Sequence, residues 1–144
     1  MSANPFVGSW TYRSLLNDAN PATSFNDLQF GLGTLVITET GPDTLGGTIG
    51  MAGPDGWGPL QLHGSMTPGN PRQVRFQGKG LDGGELWIYD YIAWLVPVWP
   101  NSTDLLQAPA LVGSVVRTIP HTSGPGTPVH PAGVVASFYC VRQG

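Results

Sequence analysis

Residues 86–99 restrict the possible folds of this chain more than any other stretch. They read LWIYDYIAWLVPVW and include three of the five tryptophans. Aromatic and β-branched residues of this kind favour strands. Alternate positions on both faces are apolar or aromatic, so we predict the longest and most buried strand, covered on both sides. Asp90 interrupts one of these faces and is therefore the first candidate for a functional residue.

The composition predicts a turn-rich β protein. Only 10% of the residues are charged, against roughly a quarter in typical soluble domains, whereas Gly numbers 21 and Pro 14. Disorder is excluded because 10% of the residues are aromatic and the net charge is only -3. The length suits a single domain over residues 1–144.

The charge distribution excludes several partners. The six Lys and Arg residues are scattered and form no basic patch, so neither nucleic acid nor an anionic membrane surface is expected to bind. Residues 1–6 have neither the basic nor the apolar region of a secretory signal. We therefore expect a cytoplasmic protein.

Alternating apolar and polar residues, separated by Gly- and Pro-rich turns, predict about eight strands. Helical periodicity is absent. The economical arrangement is an all-β, antiparallel, up-and-down barrel, which leaves no open edge; a two-sheet sandwich is the alternative. The predicted strands are 6–14, 33–40, 46–51, 59–66, 73–80, 86–99, 110–119 and 133–142.

Two short motifs resemble those of a known family. Gly8-Ser9-Trp10 on the first strand and the lone Arg142 at the end of the last strand are similar to the Gly-X-Trp and terminal Arg signature of the calycins, which include lipocalin and avidin-type barrels. The resemblance implies that the first and last strands adjoin. It also implies that Arg142 covers Trp10 in a structural cation–π contact. Unlike lipocalins, this sequence has no disulfide pair and no C-terminal helix.

Asp90 is the only candidate for chemistry. Ile88 and Ile92 flank it on its face of the strand, so we expect its carboxylate to be desolvated. A buried carboxylate needs a partner or a proton. Asp90 is therefore either a structural residue, paired with Arg75 or Arg117 or capping backbone amides, or a ligand-orienting or general-base group inside the barrel.

The remaining reactive residues predict no metal site or cofactor. His63, His121 and His130 lack the close spacing of metal ligands, and Cys140 has no second cysteine beside it. Cys140 lies in an apolar strand and is expected to be a buried, unreactive thiol. His121 and His130 lie in a Pro-rich loop near one mouth of the barrel, where proton transfer is conceivable.

Three functions remain open, and the leading one is a barrel that binds an apolar or aromatic small molecule. The second is a cofactor-free enzyme, such as an isomerase or cyclase, that uses the same cavity. The third is an interaction module, because low charge and an aromatic outer face favour a homo-oligomer. The predicted ligand-binding residues are Tyr12, His63, Arg75, Gln77, Tyr89, Asp90, Tyr91, Trp94 and Arg117.

Overall fold

The computed structural model describes residues 4–104 and 106–143. Eight antiparallel strands form one closed barrel in which each strand pairs with its neighbours in the sequence, which confirms the barrel rather than the sandwich. Residues 1–3, 105 and 144 of the predicted domain lie outside the described residues. The strands are β1 Gly8–Leu16, β2 Gln29–Gly41, β3 Thr44–Met51, β4 Trp57–Thr67, β5 Gln73–Asp82, β6 Glu85–Leu95, β7 Ala110–Arg117 and β8 Val135–Val141.

The first and last strands close the barrel. Arg13 of β1 pairs with Tyr139 of β8, and Leu16 pairs with Ala136. On its other side β1 pairs with β2 from Gly8 to Leu15, with one irregularity between Ser14 and Leu15. The expectation that these two strands adjoin is confirmed.

The two faces of β6 differ, and only one is covered. The inward side chains Trp87, Tyr89, Tyr91 and Ala93 are buried. The outward ones, from Ile88 to Trp94, are half-buried. The expectation of cover on both faces is wrong for the single chain, because one sheet closes on itself and leaves its outer face without a second layer.

Apolar side chains fill one end of the barrel and close it. Trp10 is fully buried and donates its indole N–H to the Phe6 carbonyl, 3.0 Å away. The guanidinium carbon of Arg142 lies 4.6 Å from the Trp10 ring centroid, and its Nη2 donates to the Pro5 carbonyl. The predicted structural contact between Arg142 and Trp10 is therefore present. Cys140 is buried and unpaired, and burial raises its pKa.

Two boundary differences shape the open end. A single helical turn, α1 Phe25–Leu28, lies where the sequence predicts a loop, and β2 follows it directly from Gln29. Strand β4 begins at Trp57, earlier than predicted. Both extensions add an aromatic residue, Phe30 or Trp57, to the wall of the barrel.

Candidate functional site

The open end of the barrel holds a cavity of about 500 Å³. Residues of β1, β2 and β4–β7, of the β3–β4 turn and of the β7–β8 loop line it. This volume lies in the range typical of small-molecule sites. Its lining residues are Tyr12, Ser14, Phe30, Gly31, Pro54, Asp55, Gly56, Trp57, Asp82, Trp87, Tyr89, Tyr91, Arg117, His121, Ser123 and His130.

The lining is aromatic rather than aliphatic. Six Phe, Tyr and Trp residues and two histidines contribute to it, and in the described part of the chain no Leu, Ile, Val or Met does. The branched aliphatic residues are packed in the filled half of the barrel instead. The cavity therefore offers ring faces and edges, which prefer other rings in offset or edge-on contact.

Three of these rings form a stack. The Trp87 ring lies 3.9 Å from the His121 ring, centroid to centroid, at an interplanar angle of 16°. Trp57 is stacked near Trp87, with centroids 6.3 Å apart, and its indole N–H donates to the Leu32 carbonyl at 2.9 Å. Trp57 and Trp87 therefore hold one wall of the cavity in a defined position.

A polar cluster links β6, β7 and the β7–β8 loop. Nε of Arg117 donates to the Tyr89 hydroxyl at 3.0 Å, and that hydroxyl lies 2.6 Å from Nε2 of His121. Nδ1 of His121 lies 2.9 Å from the Thr122 carbonyl oxygen, which only accepts. His121 therefore carries its proton on Nδ1, and Tyr89 donates its hydroxyl proton to Nε2.

Burial keeps this cluster in its neutral forms apart from Arg117. The pKa of His121 is lowered, first by burial and then by Arg117, despite its hydrogen bond to Thr122. Burial raises the pKa of Tyr89, although Arg117 partly opposes the shift. Burial also raises the pKa values of Tyr12 and Tyr91 well above 10.0. All three phenols therefore remain hydrogen-bond donors at neutral pH.

The β7–β8 loop is fastened to the barrel next to this cluster. The Glu85 carboxylate accepts hydrogen bonds from the backbone N–H and the hydroxyl of Thr122, at 2.9 and 2.6 Å. These bonds lower the pKa of Glu85. Within the loop, His121 and His130 exchange two backbone hydrogen bonds. These bonds therefore hold the loop in the position where His121 contacts the Tyr89 hydroxyl.

No protein-family model, curated protein or solved structure matches this chain. Among residues 4–104 and 106–143, no group of three or more His, Cys, Asp or Glu residues is placed to hold a metal ion. In the same residues, no helix has the length and apolar character needed to cross a membrane.

Four of the predicted ligand-binding residues meet in the cavity. Tyr12 comes from β1, Tyr89 and Tyr91 from β6, and Arg117 from the end of β7. Tyr12 and Tyr91 are in edge-on contact, with ring centroids 6.2 Å apart. Their common position follows from strand alternation, because all four residues point inward at neighbouring levels of the barrel.

Four others meet on the outer surface instead. His63, Gln77 and Asp90 are neighbours across β4, β5 and β6, and Arg75 lies beside them. The ninth predicted residue, Trp94, is half-buried on the same outer face of β6. These five side chains therefore lie on the opposite side of the sheet from the aromatic cavity.

The predicted burial of Asp90 inside the barrel is wrong. Its carboxylate accepts from Nε2 of Gln77, at 3.0 Å, and from the hydroxyl of Thr118, and both bonds are exposed. Arg75 is not its hydrogen-bond partner among the described residues. No bulge interrupts the β5–β6 pairing, so strict alternation turns Asp90 outward while Tyr89 and Tyr91 point inward.

Four important cavity residues were absent from the predicted ligand-binding set. Trp87 carried a usable signal, because it lies two positions before Tyr89 and so shares its face. Phe30 and Trp57 lay outside the predicted strands. His121 comes from the Pro-rich β7–β8 loop, which the sequence placed near one mouth of the barrel, and it lines the cavity together with His130 of the same loop.

Proposed function

We propose that this protein is a small-molecule-binding barrel whose cavity takes an aromatic ligand. The observation that supports this most directly is the cavity of about 500 Å³, lined by six aromatic side chains and by the polar or charged residues Ser14, Asp55, Asp82, Arg117, His121, Ser123 and His130. Small-molecule sites combine a largely apolar wall with a small number of orienting polar groups. Tyr89, Arg117 and His121 are such groups, already positioned by their mutual hydrogen bonds.

We further propose a calycin-like relationship. Its support is the closed eight-stranded barrel together with the contact between Arg142 and Trp10 at the filled end. In this proposal the Trp10–Arg142 pair is structural, and the ligand enters at the other end. The end with Trp10 and Arg142 would then stabilise the barrel, and the opposite end would bind the ligand.

Binding is favoured over the alternative of a cofactor-free enzyme. The carboxylate expected to transfer protons, that of Asp90, lies outside the barrel. Within the cavity, both ring nitrogens of His121 already have partners, the Thr122 carbonyl at Nδ1 and the Tyr89 hydroxyl at Nε2. These groups are better suited to positioning a ligand than to moving its protons.

The proposal is tested by titrating the protein with methyl naphthoate, a neutral aromatic probe, while tryptophan fluorescence is recorded. Trp57→Ala removes a ring from the cavity wall and should weaken binding about tenfold. Trp94→Ala is the matched control, since Trp94 is a half-buried tryptophan on the outer face. It should leave the affinity unchanged. Native mass spectrometry of the purified protein would show any co-purified ligand.

Two results would overturn the proposal. One is the absence of saturable binding by any aromatic probe. The other is an equal loss of affinity in Trp57→Ala and Trp94→Ala, which would place the probe on the outer surface or show a nonspecific effect.

Self-association is a second proposal, supported by one row of outward side chains. Trp94, Val112 and Tyr139 are neighbours across β6, β7 and β8. Val112 and Tyr139 are each 41% exposed. A homo-oligomer would cover this row. Sedimentation equilibrium should show a mass above the 15.2 kDa of one chain at micromolar concentration. Val112→Lys places a charge in this row and should lower the measured mass. A monomer under these conditions would refute the proposal.

A further inference from the structure

We propose that the ligand is an aromatic carboxylic acid whose carboxylate binds Arg117. This inference rests on the proposed function and adds the charge and the ring character of the ligand. It is carried by an unusual feature of the cavity, a buried cation that is solvated only by neutral groups.

Arg117 is only 8% exposed. Its guanidinium donates from Nε to the Tyr89 hydroxyl and from Nη1 to the Pro131 carbonyl, at 3.0 and 3.1 Å. The guanidinium carbon also lies 4.9 Å from the ring centroid of Phe30. Each of these partners is neutral. Buried charges are ordinarily paired, because removing a charge from water is costly. An anion in the cavity would provide the missing partner.

One end of the guanidinium remains available. Nη2 of Arg117 has no hydrogen-bond partner in the described part of the chain. Protein atoms do not enclose it completely, so it keeps some accessible surface. Since Arg117 lines the cavity, we assign Nη2 as its donor to a ligand there. A guanidinium nitrogen donates charge-assisted hydrogen bonds to a carboxylate, which are stronger than bonds between neutral groups.

Two hydroxyl donors line the cavity besides Arg117. Tyr12 and Tyr91 keep their hydroxyl protons because burial raises their pKa values. Such donors suit a ligand group that only accepts, such as a carboxylate.

Two carboxylates, those of Asp55 and Asp82, also line the cavity, and that of Glu85 lies next to the β7–β8 loop. Asp82 accepts from the backbone N–H of Gly58 at 2.7 Å, and Asp55 is exposed in the β3–β4 turn. Glu85 is engaged with Thr122. None of the three forms a hydrogen bond with Arg117 in the described structure.

The body of the ligand is aromatic because of what the walls contain. A long aliphatic chain is best accommodated by Leu, Ile, Val or Met, and the described lining has none of these. Trp57, Phe30 and Tyr89 instead present ring faces and edges, which add attraction for another ring beyond the burial of area. The site should therefore distinguish a flat aromatic acid from a fatty acid.

Three probes test both parts of the inference by isothermal titration calorimetry at neutral pH: naphthoate, its methyl ester and decanoate. The ester keeps the rings and removes the charge, whereas decanoate keeps the charge and removes the rings. Naphthoate should bind about tenfold or more tightly than its ester. It should also bind more tightly than decanoate.

Arg117→Gln removes the charge and should bring the affinities for naphthoate and its ester close together, mainly by weakening the acid. Arg75→Gln is the control, because Arg75 is an exposed arginine on the outer face. It should keep the wild-type ratio. If Arg117→Gln does not fold, as judged by circular dichroism, the comparison of acid and ester on the wild-type protein decides alone.

Equal binding of naphthoate and its ester to the wild-type protein would overturn the carboxylate assignment and leave the proposed function standing. Tighter binding of decanoate than of naphthoate would overturn the aromatic assignment. If neither the ester nor the acid binds, the proposed function itself fails. The two failures are therefore distinguishable.

Discussion

The hydroxyl of Tyr89 lies 2.6 Å from Nε2 of His121, although the two residues are 32 positions apart in the sequence. One belongs to the central strand and the other to the loop after β7. Because Arg117 donates to the same hydroxyl, the oxygen of Tyr89 accepts one hydrogen bond and donates another. This single group thus joins the barrel wall, the charged residue of the cavity and the loop at its mouth.

Replacement of Tyr89 by Phe should destabilise the protein. The change leaves Nε of Arg117 without its acceptor and Nε2 of His121 without its donor. Burying polar groups without partners costs about 1–3 kcal/mol, so we expect a loss of that size in the free energy of unfolding. Urea denaturation measures it. Tyr139→Phe, at an exposed tyrosine, is the control; an equal loss there would contradict the role given to Tyr89.

Acidification should destabilise the barrel through His121. Its pKa is lowered from 6.5 in the folded protein, first by burial. The unfolded chain has the ordinary pKa and takes up a proton first as the pH falls. The contribution of neutral His121 to the free energy of unfolding is therefore complete well above pH 6.5. It is lost as the pH falls through 6.5 toward the lower pKa of His121 in the folded protein.

Thermal melts between neutral and mildly acidic pH measure this dependence. His121→Phe keeps a ring against Trp87 and removes the titrating group, so its melting temperature should vary less with pH. His63→Gln, at an exposed histidine, should behave like the wild type. An unchanged pH dependence in His121→Phe would assign the effect to another group.

Asp90→Ala should have a small effect. The carboxylate accepts two exposed hydrogen bonds, from Gln77 and Thr118, so its loss should lower the free energy of unfolding by about 1 kcal/mol. A buried ion pair that loses one partner would cost about 3–5 kcal/mol instead. Chemical denaturation distinguishes these values. Asp90→Ala should also bind methyl naphthoate as the wild type does, since it faces away from the cavity.

Arg142→Ala should weaken the filled end of the barrel. The guanidinium of Arg142 packs on the Trp10 ring and donates to the Pro5 carbonyl. A desolvated cation–π contact contributes up to about 2 kcal/mol, so we expect a loss of about 1–2 kcal/mol in the free energy of unfolding. Arg75→Ala, which removes an exposed arginine, should cost much less. Similar losses in the two variants would show that the contact does not stabilise the barrel.

Much of the barrel could be predicted from local pattern. Alternating apolar residues and the turns between them indicate eight strands, because a strand shows its side chains to opposite faces in turn. The pairing of β1 with β8 and the cover of Trp10 by Arg142 followed from the calycin resemblance, and the structure shows both contacts. Boundaries were less accurate: β2 and β4 begin earlier than predicted, which hid Phe30 and Trp57. The prediction that residues 86–99 form the longest strand is wrong, because β6 ends at Leu95 with 11 residues whereas β2 has 13.

The sequence by itself determined which residues share a face, but the tertiary structure decided which face is inside. In the strand that contains Tyr89 and Asp90, both faces are apolar enough to be buried, so alternation alone could not choose between them. Closure of the barrel made that choice. Only the inner face of a closed sheet is shielded from water by the opposite wall, and the bulky aromatic residues occupy it. The hydrogen bonds among Arg117, Tyr89 and His121 depend on the same closure. These residues are far apart in the sequence and come into contact only when β6, β7 and the following loop pack around one cavity.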